Sequence, residues 1–429
     1  MTYLLNLIYV LVLTAASPYL AWKALRTGKY RHGWGAKFLG RVPRRNGDRP
    51  CYWFHAVSVG EVNLLARLLR EIREQAPQIE CVVSTTTRTG MELAQKKYAD
   101  LTVFYCPLDF SWAVRTALRR IRPDVLVLAE LELWPNLIRL AHRRGVCTAV
   151  VNGRLSEASF HGYRRIRPLV ANMLRHVDLV AVQDETYAER FRLLGMPADR
   201  VQVTGSMKYD GAETDRNNPA TQQLRQWASL GEDNIVFLAG STQEPEERLA
   251  LEVWQELSPQ WPNLWLILVP RHPERFEAVA RMLDASGVVW RRRSDSSNRS
   301  SASNSRVLLI DVIGELGAWW GTARAAFVGG SMGSRGGQNM IEPAGYGAAV
   351  CFGPNTRNFR DVVATMLAHK TATVVDDGAA LGRFVRWTLE HPNEADQLGQ
   401  RARALVLSQQ GATARTRALL LGLTAKKTS

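Results

Sequence analysis

Short, continuous apolar runs recur along most of the chain, each followed by an amphipathic stretch, and this pattern limits the fold more than any other feature. In the first half the runs lie at 51–57, 81–85, 102–106, 125–129, 148–151, 179–182 and 201–204. In the second half they lie at 235–239, 264–269, 288–290, 307–310, 326–328, 349–352 and 373–375. They are rich in β-branched residues and do not alternate apolar with polar, as strands covered on both faces do not. The stretches between them carry helical spacing, clearest in Val62, Leu65, Leu68, Leu69 and Ile72. Strand and helix alternating in two series predict an α/β fold: two Rossmann-like domains, each on a parallel sheet, facing a cleft. The 429 residues suffice for two or three domains. A polar stretch at 211–221, with Asp215, Asn217, Asn218 and Pro219, marks the boundary and gives domains over 51–212 and 220–429. The Ser- and Asn-rich segment 293–306 reads as a surface loop between two strands.

Residues 2–22 carry no charge and include the run Leu4-Leu5-Asn6-Leu7-Ile8-Tyr9-Val10-Leu11-Val12-Leu13. About 20 helical residues match the thickness of a bilayer core. Positive charge follows the run instead of preceding it, the reverse of a cleavable signal peptide. The expectation is a retained anchor over 1–22, with the body of the chain on the cytoplasmic side. Pro18 keeps open a helix lying in the membrane interface. Residues 1–50 hold nine Lys and Arg against Asp48 alone, so 23–50 reads as a basic segment facing an anionic membrane surface. The whole chain has a formal net charge of +15, which favours an anionic substrate or partner. Its basic residues are not interleaved with aromatic platforms, so nucleic acid is not expected. Five cysteines without a CxxC pair read as reduced thiols, and histidine spacing indicates no metal site. With 46% apolar and 22% charged residues, the chain as a whole is neither disordered nor a polytopic membrane protein.

In open α/β sheets, ligands bind beyond the carboxyl ends of the strands. His55-Ala56-Val57-Ser58-Val59-Gly60-Glu61 follows the first run. Ser58-x-x-Glu61 fits a helix capping box, and Glu61 equally fits a general base, with Gly60 letting backbone approach a ligand. Glu130 and Glu132 follow the fourth run: either a solvated acid and a helix cap, or a carboxylate pair facing substrate. Lys208 follows Thr204-Gly205-Ser206 and is either a surface residue or a hold on an anionic group. In the second half, Gly240-Ser241-Thr242 presents small residues whose N–H groups suit a phosphate, and Arg271 after Pro270 suits the same ligand. Residues 329–342, Gly329-Gly330-Ser331-Met332-Gly333-Ser334-Arg335-Gly336-Gly337-Gln338-Asn339-Met340-Ile341-Glu342, form a glycine-rich loop leading into a helix, able to wrap a phosphate. The order of a Walker loop is missing, which excludes that class of ATPase.

Together these motifs resemble the 3-deoxy-D-manno-octulosonic acid (Kdo) transferases of lipopolysaccharide synthesis. The matching pieces are Tyr30-Arg31-His32-Gly33-Trp34-Gly35, His55 to Glu61, Glu132-Leu133-Trp134-Pro135-Asn136 and Asn152-Gly153-Arg154-Leu155-Ser156. They continue with Val203 to Lys208, Leu268 to Phe276 and the 329–342 loop. The resemblance implies a GT-B glycosyltransferase: an acceptor domain over 51–212 and a CMP-sugar domain over 220–429. It implies transfer of Kdo from CMP-Kdo to the lipid A precursor at the cytoplasmic face of the inner membrane, with inversion. CMP-Kdo is a substrate, and neither cofactor nor metal is implied.

By position, the resemblance makes Glu61 the base and gives Glu130 and Lys208 transition-state stabilisation. Ser58, Gly60 and Arg154 fall on the acceptor side. Ser241, Thr242, Pro270, Arg271, Ile313, Gly314, Glu315, Gly330, Asn339 and Glu342 fall on the donor side. Gln243, Gln338 and Ala158 stand where the family usually has His, His and Arg. The alternatives are another GT-B transferase or an epimerase using a UDP-sugar, and a membrane-tethered basic binding module.

Overall fold

The computed structural model describes residues 2–27, 33–295 and 305–428. Tyr30, Arg31 and His32, and most of the Ser/Asn-rich segment, lie outside them. The chain forms two units: Met1–Gly211 with Gln410–Ser429, and Ala212–Gln409.

The first unit carries a seven-stranded parallel sheet in the order β3-β2-β1-β4-β5-β6-β7. The strands are β1 (Cys51–His55), β2 (Glu80–Thr85), β3 (Thr102–Tyr105), β4 (Val125–Ala129), β5 (Cys147–Gly153), β6 (Leu179–Val182) and β7 (Val201–Val203). All of β1 and β4 is buried, because helices cover both faces. Tyr52 and Phe54 join Val125 and Val127 on one face, against Val62, Leu65, Leu68, Leu69 and Ile72 of the helix Val59–Gln75. Trp53 joins Leu126 and Leu128 on the other, as the period of two demands.

The second unit repeats the plan with β8 (Ile235–Thr242), β9 (Leu264–Pro270), β10 (Trp290–Arg292), β11 (Val307–Leu309), β12 (Ala325–Val328), β13 (Ala349–Phe352) and β14 (Thr373–Val374). Its order is β10-β11-β9-β8-β12-β13-β14, again parallel. In the first unit sequential strands run one way and then the other; in the second, β11 returns between β9 and β10 before β12 pairs on the far side of β8, so the order switches sides between β1 and β4 and between β8 and β12. Loops on either side of such a reversal leave in opposite directions and open a crevice at the strands' carboxyl ends.

Three expectations change. The second unit ends at Gln409, not 429. The helix Ala412–Thr428 returns to the first unit, where its Leu420 is buried in the core beside β1. The Tyr52 hydroxyl donates to the Leu420 carbonyl (3.0 Å), Arg417 pairs with Glu71, and the Asp210 carboxylate accepts the Gly411 N–H (2.6 Å) and the Thr413 N–H.

The membrane-crossing anchor is not supported. A helix does form over Thr2–Thr27, but among the described residues no helix is long and apolar enough to cross a membrane. Two of its polar side chains bond to the rest of the first unit: Asn6 donates to Ser111 Oγ (2.8 Å) and Tyr9 to Asp109 (3.0 Å).

Nor is 23–50 a segment apart. Over residues 33–50, Val42 enters the core, and Arg45 turns inward to Glu80 (3.2 Å) and the Ile121 carbonyl (2.8 Å). None of the five cysteines is in a disulfide, and Cys51, Cys81, Cys106 and Cys351 are buried.

Leu420→Ala leaves a hole against β1 and should cost the first unit about 2–5 kcal/mol. Hydrogen exchange should rise across residues 51–75 and stay unchanged within Ala212–Gln409. Exchange that rises in the second unit instead would overturn the assignment of this helix.

Candidate functional site

In the first unit the reversal lies between the loops after β1 and β4, and the acidic residues gather there. Ser58 caps the helix Val59–Gln75, accepting the Glu61 N–H (3.3 Å) and donating its hydroxyl to Glu61 Oε1 (2.8 Å). Glu61 Oε2 accepts the Val57 N–H (2.8 Å). The capping box is therefore real. It also fixes the Glu61 carboxylate in place while leaving each oxygen a second lone pair. Burial raises its pKa, the Val57 and Ser58 hydrogen bonds oppose this, and the Glu130 charge adds to the rise. Gly60 is not required by the chain's own packing, since an added Cβ would meet only Ser58 Oγ, at 3.7 Å.

Glu130 sits immediately after β4 with φ 54, a left-handed conformation costly for a non-glycine residue. Its two oxygens are divided between two cations: Oε2 to Arg154 Nε (3.1 Å) and Oε1 to Lys208 Nζ (3.3 Å). Both cations are partly exposed, so the pair of salt bridges lies at a surface and not in the core.

Glu132 accepts the Trp134 indole N–H (2.9 Å). Its pKa is pushed up to about 7, first by burial and then by the Glu61 charge. The structure thus gathers Glu61, Glu130, Glu132, Arg154 and Lys208. Sequence reasoning named Asn152 only within the 152–156 motif and gave it no role; its Oδ1 accepts the Met207 N–H (2.9 Å) and so fixes the turn that carries Lys208. Its signal was a polar residue at the end of an apolar strand, and it too has a positive φ, 52.

In the second unit the corresponding crevice lies between the loops after β8 and β12. Ser241 has φ 55, and Thr242 behind it is buried. The Arg271 N–H, just past Pro270, donates to the Thr242 carbonyl (3.0 Å). Gly329 is pressed against this turn: an added Cβ would lie 2.6 Å from Thr242 Cα.

Glu342 accepts from the Asn339 amide (2.9 Å). Burial raises the pKa of Glu342, while the Asn339 hydrogen bond and the Arg271 charge hold it down. Ser241, Thr242, Arg271, Gly330, Asn339 and Glu342 therefore converge. Ile313 and Gly314 lie after β11, with the Ile313 side chain exposed. Glu315 is turned to Arg293, which donates to both of its oxygens (2.9 Å each), and is not joined to that group by any hydrogen bond.

The sequence reads the glycine loop as able to wrap a phosphate; three of its N–H groups are turned inward. Those of Gly330 (2.7 Å), Ser331 (2.9 Å) and Met332 (2.9 Å) all point to Glu246, a residue sequence reasoning did not single out. Among the described residues, no group of three or more His, Cys, Asp or Glu is arranged to hold a metal ion.

Residues 32–211 match the family model described as 3-Deoxy-D-manno-octulosonic-acid transferase (kdotransferase). The 3-deoxy-D-manno-octulosonic acid transferase of Haemophilus influenzae is 33% identical over 371 residues, 86% of each chain. That of Bordetella pertussis is 30% identical over 427 residues, 95% of this chain and 97% of the other.

The chain belongs to the Kdo transferase family.

It is a glycosyltransferase. In fold it is similar to the UDP-GlcNAc 2-epimerase of Neisseria meningitidis (TM-score 0.56), which covers 88% of this chain and 100% of its own at 12% identity. That likeness concerns the GT-B-like pair of parallel-sheet units alone. The family relation separates this Kdo transferase from the epimerase alternative, and from the binding module.

The raised pKa of Glu132 has a defined sign. Between its ordinary value of 4.5 and about 7, the folded Kdo transferase holds a proton that the unfolded chain releases. This group therefore makes stability fall as pH rises through that window. Glu132→Gln should leave stability unchanged at pH 5 and raise it by roughly 1–3 kcal/mol at pH 8, read by urea unfolding. Equal effects at both pH values would show that Glu132 is not held protonated.

Proposed function

We propose that this Kdo transferase moves Kdo from CMP-Kdo onto the lipid A precursor (lipid IVA) by direct displacement, with Glu61 as the base. The observation that carries the role of Glu61 is its placement. It is a partly buried carboxylate, fixed by Val57 and Ser58 at the β1–β4 crevice. Glu130, Arg154 and Lys208 stand at the same crevice.

Glu61 takes the proton of the acceptor hydroxyl as that oxygen bonds to the anomeric carbon. The bond from that carbon to the phosphate oxygen of CMP breaks, and CMP leaves with the electron pair. Attack opposite the leaving group inverts the centre. A base acts best when its pKa lies near the working pH, and burial moves Glu61 that way. Glu130, fixed between Arg154 and Lys208, offers a preorganised negative charge to the cationic sugar of the transition state. Lys208 can in turn meet the Kdo carboxylate or the leaving phosphate.

The second unit takes CMP-Kdo. Arg271 supplies a cation beside the Ser241–Thr242 turn, and Asn339 and Glu342 supply polar groups for the nucleotide. Pro270, Gly330 and the 313–315 turn complete that assignment.

The acceptor is an anionic lipid, and the proposed location is the cytoplasmic face of the inner membrane. The helix Thr2–Thr27 supports this with exposed Leu7, Ile8, Leu11 and Val12, to which Trp34 and Trp112 add exposed aromatic surface. We propose that this exposed apolar surface rests on the bilayer.

Incubation with CMP-Kdo and tetra-acylated lipid A precursor, followed by mass spectrometry, should show product heavier by whole Kdo units and count them. Unchanged precursor, with turnover of a UDP-sugar instead, would overturn the donor. The kcat/KM profile should fall as pH drops through the raised pKa of Glu61, because only the ionised carboxylate accepts a proton. Glu61→Gln should lower kcat by more than about 100-fold. Turnover within a few-fold of wild type would remove Glu61 as the base.

A further inference from the structure

Glu246 is buried at the start of the helix Glu246–Leu257, directly after the cis Glu244–Pro245 turn. A carboxylate there is expensive unless its oxygens are fully hydrogen-bonded. Four backbone N–H groups supply this. Oε2 accepts from Gln243 (2.8 Å) and Gly330 (2.7 Å), and Oε1 from Ser331 (2.9 Å) and Met332 (2.9 Å). Three successive N–H groups converging on one anion form a nest, the backbone arrangement that elsewhere holds phosphate. Here the anion is part of the chain, 84 residues before Gly330 in sequence.

The neighbouring packing fixes the same turn. An added Cβ on Gly329 would fall 2.7 Å from Glu246 Oε2 and 2.8 Å from the Ser241 carbonyl oxygen, so β12 exits against the β8 turn only as glycine. Ser331 Oγ donates to the Val328 carbonyl (2.6 Å) and accepts the Gly353 N–H (2.8 Å), tying the loop to β12 and to the end of β13. The Gly337 N–H closes the rest of the loop onto the Gly330 carbonyl (2.7 Å).

We infer that Glu246 is a positioning residue for the sugar nucleotide: an internal anion that fills the nest of the glycine loop and locks its backbone. The donor phosphate is then met by side chains and not by the N–H groups of Gly330, Ser331 and Met332. The inference rests on the reading that the second unit takes CMP-Kdo. Glu246 touches no reacting atom. It acts through the loop, and its loss is felt in donor binding more than in the chemical step.

Amide hydrogen exchange on the wild-type full chain tests this without a variant. The amides of Gly330, Ser331 and Met332 should be protected before any ligand is added. Saturating CMP should change their exchange by less than about 2-fold while protecting other residues of the second unit. Fast exchange without CMP, slowed more than about 10-fold by it, would mean that phosphate occupies the nest, and would overturn the proposal. No protection by CMP anywhere in the second unit would overturn the donor reading instead, with the clamp still visible as protection of those three amides.

A variant gives the second arm. Glu246→Ala empties the nest. It should raise the donor KM about 10-fold or more, with kcat within about 3-fold and the acceptor KM within about 2-fold. Formate, a free carboxylate of the right size, should restore much of the loss. A uniform fall in kcat with donor KM unchanged, or no response to formate, would count against positioning. Glu246→Gln keeps one acceptor oxygen, and so two of the four hydrogen bonds, and should fall between wild type and Glu246→Ala.

Discussion

Each unit depends on a parallel sheet whose later strands switch to the far side of its first strand. A parallel sheet needs a crossover after every strand, and helices covering both faces make its strands uniformly apolar. Polar side chains such as His55, Ser241 and Thr242 therefore enter β1 and β8 only at their carboxyl ends. They collect in the loops at the carboxyl ends, and the reversal is where those loops part. Glu61 and Glu130 stand on the two sides of one reversal. Ser241 and Gly330 stand on the two sides of the other.

The charged groups at these places hold one another more than they hold the fold. Glu130 shares its oxygens between Arg154 and Lys208 on a strained backbone. Glu246 is held by four N–H groups and, among the described residues, by no ion pair. Both give the oxygens of a carboxylate fixed partners in a partly or fully buried place, and both fix geometry. Salt bridges at a surface add little stability, whereas a buried carboxylate bonded to four donors is costly to disturb. The first suits a group that must respond to substrate. The second suits a group that must not move.

Much of the fold could be read from the chain. The fourteen apolar runs become the fourteen strands, with ends shifted by a few residues at most, because a strand buried on both faces leaves an uninterrupted apolar signature. The five residues spaced along 62–72 form the buried stripe of one helix, because helical period and burial are the same fact. Glu61, Glu130 and Lys208 were legible as polar residues placed just past strands. The roles of Asn152 and Glu246 were not, because their partners are backbone N–H groups distant in sequence, and no side-chain pattern records such a bond. The membrane-crossing expectation counted Asn6 and Tyr9 as part of an uncharged apolar run. The structure instead uses them as contacts to Ser111 and Asp109.

The sequence by itself determined the class of fold, the number of units, the candidate carboxylates and the family, because each rests on local pattern or on motifs in order. Only the tertiary structure decided which unit owns the last helix, since Leu420 meets β1 only after the chain has crossed the whole second unit and returned. It alone decided that the N–H groups of Gly330, Ser331 and Met332 in the glycine loop are already occupied. That choice depends on a helix start brought beside β12 by the pairing of β8 with β12, a long-range register that no local sequence encodes.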